Sequence, residues 1–281
     1  QSKTDEYGAL GARLSCSAPN LQAFPKRKIK VGAVVRKLIV PDTGWLIEEG
    51  DAMQQEPRLF THYSGDPFLM EGYRTGTIDI HDRANHLLFD GKDRDTAKRM
   101  CMGMLTGMMP KTLAMHMEWP VSKAKVMFNR FFEAFPLIKE FQDDATTTFR
   151  HNRVVRSILG RKARLDSSRF AYRGTSRVIQ NSGGDHIKTC VLRACQYEDA
   201  NPDHIQMLMT IHDSLIWQRD PGHSPKEFIR IIENVPHEPQ FNLSVPIPFE
   251  VGSGDNWAEA SYAHKIPGNG RELKGKKGWL I

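Results

Sequence analysis

Residues 205 to 218 read Ile-Gln-Met-Leu-Met-Thr-Ile-His-Asp-Ser-Leu-Ile-Trp-Gln, two apolar runs on either side of a polar break at His212-Asp213-Ser214. Runs of this length with so short an interruption predict a β-hairpin, with buried side chains on both arms and Asp213 at the tip. A second strand is predicted far upstream at Gly44–Gly50, in Gly-Trp-Leu-Ile-Glu-Glu-Gly, and Asp51 follows it directly. Between the two, residues 56–73 and 92–149 carry helical patterning broken at Pro67, Pro110, Pro120 and Pro136, and 170–200 reads as a further helix. Residues 1–30 are polar, with turn signals at Gly8, Gly11, Pro19 and Pro25, and the tail from Ile266 to Gly278 reads as loose. A mainly helical insert between strand-bearing ends predicts an α+β fold assembled from discontinuous segments.

With 281 residues, 40% of them hydrophobic, the chain can bury one large core or two smaller ones. It has no apolar run of about 18 residues, so no membrane span and no membrane partner are expected. The opening Gln1-Ser2-Lys3-Thr4-Asp5-Glu6 has neither a basic leader nor an apolar core, so no secretory signal is expected. Cys16, Cys101, Cys190 and Cys195 are scattered without a Cys-x-x-Cys pair, which favours reduced thiols in a cytoplasm over a zinc site. The net charge of +6 invites an anionic partner, and its distribution says more. Arg150, Arg153, Arg156, Arg161, Lys162, Arg164, Arg169, Arg173 and Arg177 are opposed only by Asp166 over residues 150–177. A solvated basic face would look the same, but a patch that neutralises phosphates is the better reading, with counterion release supplying much of the affinity.

Three groups of residues carry chemistry. Asp51 and Asp213 each stand at the end of a predicted strand. One such acid is usually a turn residue or a helix cap. Two brought together would repel each other unless a hard cation lay between them, which is the requirement of two-metal phosphoryl transfer. Arg94, Lys98 and Met102, at i, i+4 and i+8, share one helix face. Solvated cations over a core methionine give this pattern, and so does a helix that grips a triphosphate and then packs on a base or sugar. In the run from Arg13 to Pro25, the Arg13, Asn20 and Gln22 side chains could reach minor-groove acceptors or sugar oxygens, or brace a surface loop.

Taken in order, these pieces resemble the polymerase domain of family A DNA polymerases over nearly the whole chain. The Arg13–Pro25 run is similar to that family's Arg-Leu-Ser-Ser-x-x-Pro-Asn-Leu-Gln-x-x-Pro segment. Asp51-Ala52-Met53-Gln54-Gln55-Glu56-Pro57-Arg58 resembles motif A in a form similar to phage members, and Pro57 suits a first helical turn. Residues 94–107 resemble motif B, the run from Gln180 to Lys188 a family helix, Met209–Ser214 motif C, and Glu250–Trp257 the closing strand. Six fragments in one order specify more than any of them alone.

The resemblance implies a palm at 1–59 and 168–281 and fingers at 60–167. It implies that Asp51 and Asp213, helped by the Ala52 carbonyl, hold two magnesium ions, for which manganese can substitute. Lys98 and Arg94 would hold the β- and γ-phosphates of a dNTP, with Lys98 protonating the leaving pyrophosphate. Glu56 would exclude a ribose 2′-hydroxyl, and Gln55 and Met102 would line the nucleotide. Arg13, Asn20, Gln22, Gln180, Arg177 and His212 would contact primer–template DNA. The family pattern is broken at Met102, where an aromatic is usual, at Thr106 for tyrosine, at Ser214 for glutamate, at Asp95 for a second arginine and at Ser176 for asparagine. Only twelve residues precede Arg13, so the thumb, and any exonuclease, is expected from a separate chain or a longer protein. The expected setting is the cytoplasm of a bacterium or a phage-infected host. Two other readings stand beside this one: a catalytically silent module that binds primer–template DNA, and a single-subunit RNA polymerase. Glu56, Gln55, Arg58 and the Arg13 segment favour the DNA enzyme over the latter.

Overall fold

A computed structural model describes residues 12–14, 16, 20–24, 29–164, 168–262 and 271–272. The turn signals at Gly8, Gly11, Pro19 and Pro25, the acid Asp166, and all of the tail but Arg271–Glu272 lie outside these residues. In chain order the elements begin with α1 (Ile29–Arg36), β1 (Leu46–Ala52), α2 (Gln55–Ser64), α3 (Pro67–Thr75), α4 (Ile80–Phe89) and α5 (Arg94–Leu105). There follow α6 (Pro110–Met117), α7 (Val121–Ala134), α8 (Pro136–Asn152), β2 (Val154–Arg156), β3 (Lys162–Arg164) and α9 (Gly174–Ala200). The last are β4 (Ile205–Ile211), β5 (Ser214–Arg219), α10 (Lys226–Asn234), β6 (Phe249–Gly254), α11 (Trp257–Tyr262) and β7 (Arg271–Glu272). The fold class is α+β, as the pattern of the chain predicts. The elements fall into two bodies, one of residues 1–55, 183–239 and 247–281, the other of 56–182 and 240–246.

The first body is built on an antiparallel sheet in the order β4-β5-β1-β6-β7. β1 is its middle strand and is buried on both faces, so hydrophobic alternation is absent from its sequence. It nonetheless carries two adjacent glutamates, which alternation sends to opposite faces. Glu48 accepts from Trp217 Nε1 (2.6 Å) and from Arg219 Nε (2.8 Å). Glu49 accepts from Trp257 Nε1 (2.7 Å), Arg36 Nη1 (3.2 Å) and the Ser261 hydroxyl. Each face of the strand thus holds a carboxylate, a guanidinium and an indole N–H. Burial raises the Glu48 pKa, and the Arg219 hydrogen bond and charge pull it back down. Ile47, Ile216, Trp257 and Ala260 form an apolar cluster, with Phe24, Ile39, Met209 and Ile211 packed on it.

Three sequence expectations shift here. β1 begins at Leu46 rather than Gly44 and runs through Asp51 to Ala52, because pairing with β5 and β6 carries the ladder past the apolar run. Ser214 belongs to β5, which leaves His212 and Asp213 as a two-residue turn. The hairpin arms are also unequal: β5 is buried throughout, whereas β4 lies at the sheet edge and fully buries only Ile205. α1 lies in a stretch for which no helix is predicted.

The second body is mainly helical. Pro67, Pro110 and Pro136 each stand in the first turn of a helix, and Pro120 is an N-cap, so these breaks are helix starts. Pro57 lies in the first turn of α2, where no intrahelical donor is lost. α4, which the patterning misses, is capped by Asp79, whose side chain accepts from the His81 (2.7 Å) and Asp82 (3.2 Å) amides. The basic segment contains the β2–β3 hairpin, with Val155 and Ala163 buried against Phe149 and Val178. No helix among the described residues is long and apolar enough to cross a membrane.

Candidate active site

In the first body the paired acids meet at one end of the sheet. Asp51 is opposite Ser214 on β5 and opposite Glu250 on β6, and directly opposed residues share a face. The Ser214 hydroxyl donates to Asp51 Oδ2 at 3.2 Å. Asp213, in the turn before β5, accepts the Ala52 amide on its carbonyl at 3.0 Å. Asp51, Ala52 and Asp213, distant in sequence, therefore occupy neighbouring backbone positions, and both acids are half-buried. The turn is tight enough to force His212 to φ 57°, a left-handed conformation uncommon for a residue with a Cβ. Its side chain is exposed beside the acids.

The donor set fits a hard divalent cation. It offers two carboxylates and a backbone carbonyl, and Phe249 N–H, facing Ala52 in the ladder, donates instead to Glu233 Oε1 at 2.7 Å. No group of three or more metal-binding side chains is found among the described residues. Magnesium is commonly held by one or two carboxylates together with oxygens of its substrate, so two acids suffice.

In the second body, α5 presents Arg94, Lys98 and Met102 on one side. Arg94 and Lys98 are exposed and Met102 is half-buried, while Thr96, Ala97, Met100, Cys101 and Met104 are buried on the other side. Asp93 caps the helix through the Thr96 amide (3.0 Å), and hydrogen bonds from the Thr96 hydroxyl and then its amide hold the Asp93 pKa low. Arg94 is already engaged by two carboxylates at the start of α4, those of its cap Asp79 (2.7 Å) and of Asp82. That pairing has no signal in the α5 periodicity. Thr106, where the family has tyrosine, returns its hydroxyl to the Met102 carbonyl at 2.8 Å and finishes the helix.

Several predicted contact residues have internal work. Gln55 is buried, and its amide nitrogen meets the Gly183 carbonyl (3.3 Å) and His186 Nδ1 (2.8 Å) of α9, so the structure turns it away from a nucleotide-facing role. Asn20 accepts from the Gln22 amide (3.1 Å) as a cap, and Gln22 Nε2 reaches the Thr210 carbonyl of β4 (3.5 Å). Arg13 is exposed. Glu56 lies half-buried in the first turn of α2, after Gln54 at φ 50° turns the chain out of β1. Gln180 and Arg177 are half-buried in the first turns of α9. Burial, then the neighbouring Arg173 charge, lowers the Arg177 pKa, which marks a place short of counter-charge. Glu250 reads in the sequence only as the start of the closing strand, because strand register, which a single sequence does not display, is what places it beside Asp51.

A family model described as DNA polymerase family A matches residues 1–259. Among curated proteins, the thermostable DNA polymerase I of Thermus filiformis is 29% identical over 88% of this chain and 31% of its own length. The DNA polymerase I of Helicobacter pylori is 29% identical over 90% of this chain and 29% of its own length. The DNA polymerase DpoZ of Salmonella phage PMBT28 is 26% identical over 92% of this chain and 46% of its own length. Among solved structures, the POL domain of Pol1 from M. smegmatis, in complex with DNA primer-template and dNTP, superposes with a TM-score of 0.81. It is 26% identical and matches 90% of this chain and 47% of that one. The chain thus spans between about a third and a half of the length of these relatives.

Proposed function

Because the chain belongs to DNA polymerase family A, we propose that it carries the palm and fingers of a template-directed DNA polymerase, the sheet body being palm and the helical body fingers. The observation that most supports this is the juxtaposition of Asp51 and Asp213 through the Ala52 amide and the Asp213 carbonyl. The family implies dependence on divalent metal. Asp51, Asp213 and the Ala52 carbonyl are the groups that would hold magnesium or manganese, which when bound lowers the pKa of a primer 3′-hydroxyl and offsets phosphate charge.

The remaining work falls to the chain's own side chains. Lys98 and Arg94 hold the β- and γ-phosphates of the dNTP. As the 3′-hydroxyl gives its proton to solvent and its oxygen bonds to the α-phosphorus, the bond to pyrophosphate breaks, and the Lys98 ammonium gives its proton to that leaving group. Arg94 must first leave Asp79 and Asp82. Exposed pairs of this kind are worth about 0–1 kcal/mol, so a triphosphate can compete for the guanidinium. Met102 lines the sugar and base, and Glu56 restricts the space at C2′. Arg13, His212, Gln180 and Arg177 are assigned to primer–template contacts. The thumb is assigned to another chain or another part of a longer protein, and the reaction to a bacterial or phage-infected cytoplasm.

The test is magnesium-dependent primer extension, with and without a candidate thumb chain. Asp213→Asn should abolish extension and leave primer–template affinity largely intact, since a metal ligand is lost and no phosphate contact. An active Asp213→Asn protein would remove the acid pair from the mechanism. One observation favours the second reading, a DNA-binding module without catalysis: Arg94 is neutralised by two acids. That reading requires tight primer–template binding with no extension under any metal or partner condition.

A further inference from the structure

The β2–β3 hairpin has no part in the chemistry above. Its strands pair Val154 with Arg164, Val155 with Ala163 and Arg156 with Lys162. Alternation sends Val155 and Ala163 inward onto Phe149 and Val178, leaving Arg156, Lys162 and Arg164 exposed on the other side. The loop is closed by Ser157 N–H to the Arg161 carbonyl (2.9 Å), Gly160 N–H to the Ser157 carbonyl (2.9 Å) and Arg161 N–H to Ser157 Oγ (3.0 Å). Gly160 takes φ 79°, as a three-residue hairpin loop requires of its last position. The loop is also pinned from below. Ile158 N–H donates to Ser182 Oγ at 3.0 Å, and that hydroxyl is fixed by the Val178 carbonyl (2.7 Å) and Tyr63 (2.8 Å).

The centre of such a loop ordinarily takes Gly, Pro, Asn, Asp or Ser. Here it is Ile158-Leu159, and Leu159 stands 43% exposed at the tip. Exposed Arg156, Arg161 and Lys162 flank the loop, exposed Arg153 and Arg164 stand at the base of the hairpin, and from 145 to 184 the sequence holds one acid, Asp166. A rigid apolar point in a field of cations matches a nucleic-acid duplex at its opening end, where phosphates meet the cations and a loosened base step accepts an apolar side chain.

We propose that this hairpin is a strand-separating wedge: its cations hold the phosphates of a duplex while Leu159 enters the base step at the junction with single strand. The role deepens the polymerase reading and rests on it, naming as substrate a template whose downstream strand is still annealed.

Two measurements on the full chain test it. In the first, a forked DNA duplex carries 2-aminopurine at the junction pair. Saturating wild-type protein should raise its fluorescence, and Leu159→Ser should lose most of that rise with affinity held within about twofold, because phosphate contacts dominate binding. Leu159→Met, still apolar, should keep it. No rise with wild type, or an undiminished rise with Leu159→Ser, overturns the wedge. In the second, primer extension is compared on open template and through an annealed strand. Leu159→Ser should match wild type on open template but pass the duplex about five- to tenfold more slowly, because no apolar side chain then holds the opened step. Equal slowing on both templates overturns the wedge. Wild-type failure on open template counts against the polymerase reading alone, and the fluorescence then decides the wedge.

Discussion

On the proposed polymerase reading, the choice of sugar would rest on one side chain, Glu56. Glu56 follows Asp51 by five positions and lies half-buried where β1 has turned into α2. A carboxylate packed at C2′ would leave a ribose hydroxyl without room or a partner, so discrimination comes from exclusion. Glu56→Ala should therefore lower the dNTP-to-rNTP ratio of kcat/KM by roughly tenfold or more. An unmoved ratio would take the gate away from Glu56 and strengthen the RNA polymerase reading. The strand-end positions of Asp51 and Asp213 were legible in the sequence because an apolar run lies a few residues before each, a pattern visible without coordinates. Gln55 was not, because its direction depends on where α2 begins relative to α9. Asn20 was ambiguous for a different reason: the same side chain that can meet a base edge can cap a turn, and here it caps one.

At the scale of elements, β1 and α9 show two ways of burying a polar group. On β1, Arg219 offsets Glu48, which is otherwise held only by the Trp217 indole among the bonds given above. Arg219→Met should cost about 3–5 kcal/mol by urea denaturation, since it strands a buried carboxylate. The double change Glu48→Leu with Arg219→Met should recover most of that loss. A single-variant cost below about 1 kcal/mol would mean that the Glu48 charge is not retained in the fold. On α9, His186 is fully enclosed between Gln55 and Cys190, and burial pushes its pKa down to about 3. The unfolded chain takes up this proton below its ordinary pKa of 6.5, and the folded chain does not until about 3. Its contribution is intact above pH 6.5 and is lost on acidification towards 3, at up to about 1.4 kcal/mol per pH unit. His186→Gln should flatten the fall in urea midpoint between pH 6 and 4 relative to wild type. Parallel profiles would show that His186 does take up its proton in the fold. None of these partners is readable in advance. A Glu-Glu pair inside an apolar run suggests a strand end, and only the sheet reveals an arginine and a tryptophan waiting on each side.

For the whole molecule, the proposed binding of primer–template would draw on the cations of residues 150–177. Affinity for primer–template should fall steeply with salt, and removing one phosphate contact, for instance by Arg164→Ala, should reduce the log–log slope by about 0.9. A salt-independent affinity would return the segment to plain solvated surface. The α+β class and the order of its parts were legible because prolines, apolar runs and acids punctuate the chain at helix and strand ends. The assembly of the sheet was not, since its middle strand comes first in sequence and meets neighbours beginning at Ser214 and Phe249. That arrangement has a consequence in time. Leaving a ribosome at about 5–20 residues per second, β1 would precede its first hydrogen-bonding neighbour by roughly ten to thirty seconds. During that interval both its edges lie open, with two glutamates in the middle of an otherwise adhesive segment. The charges that later need arginines inside the fold would, in the nascent chain, disfavour pairing of this strand with a wrong one.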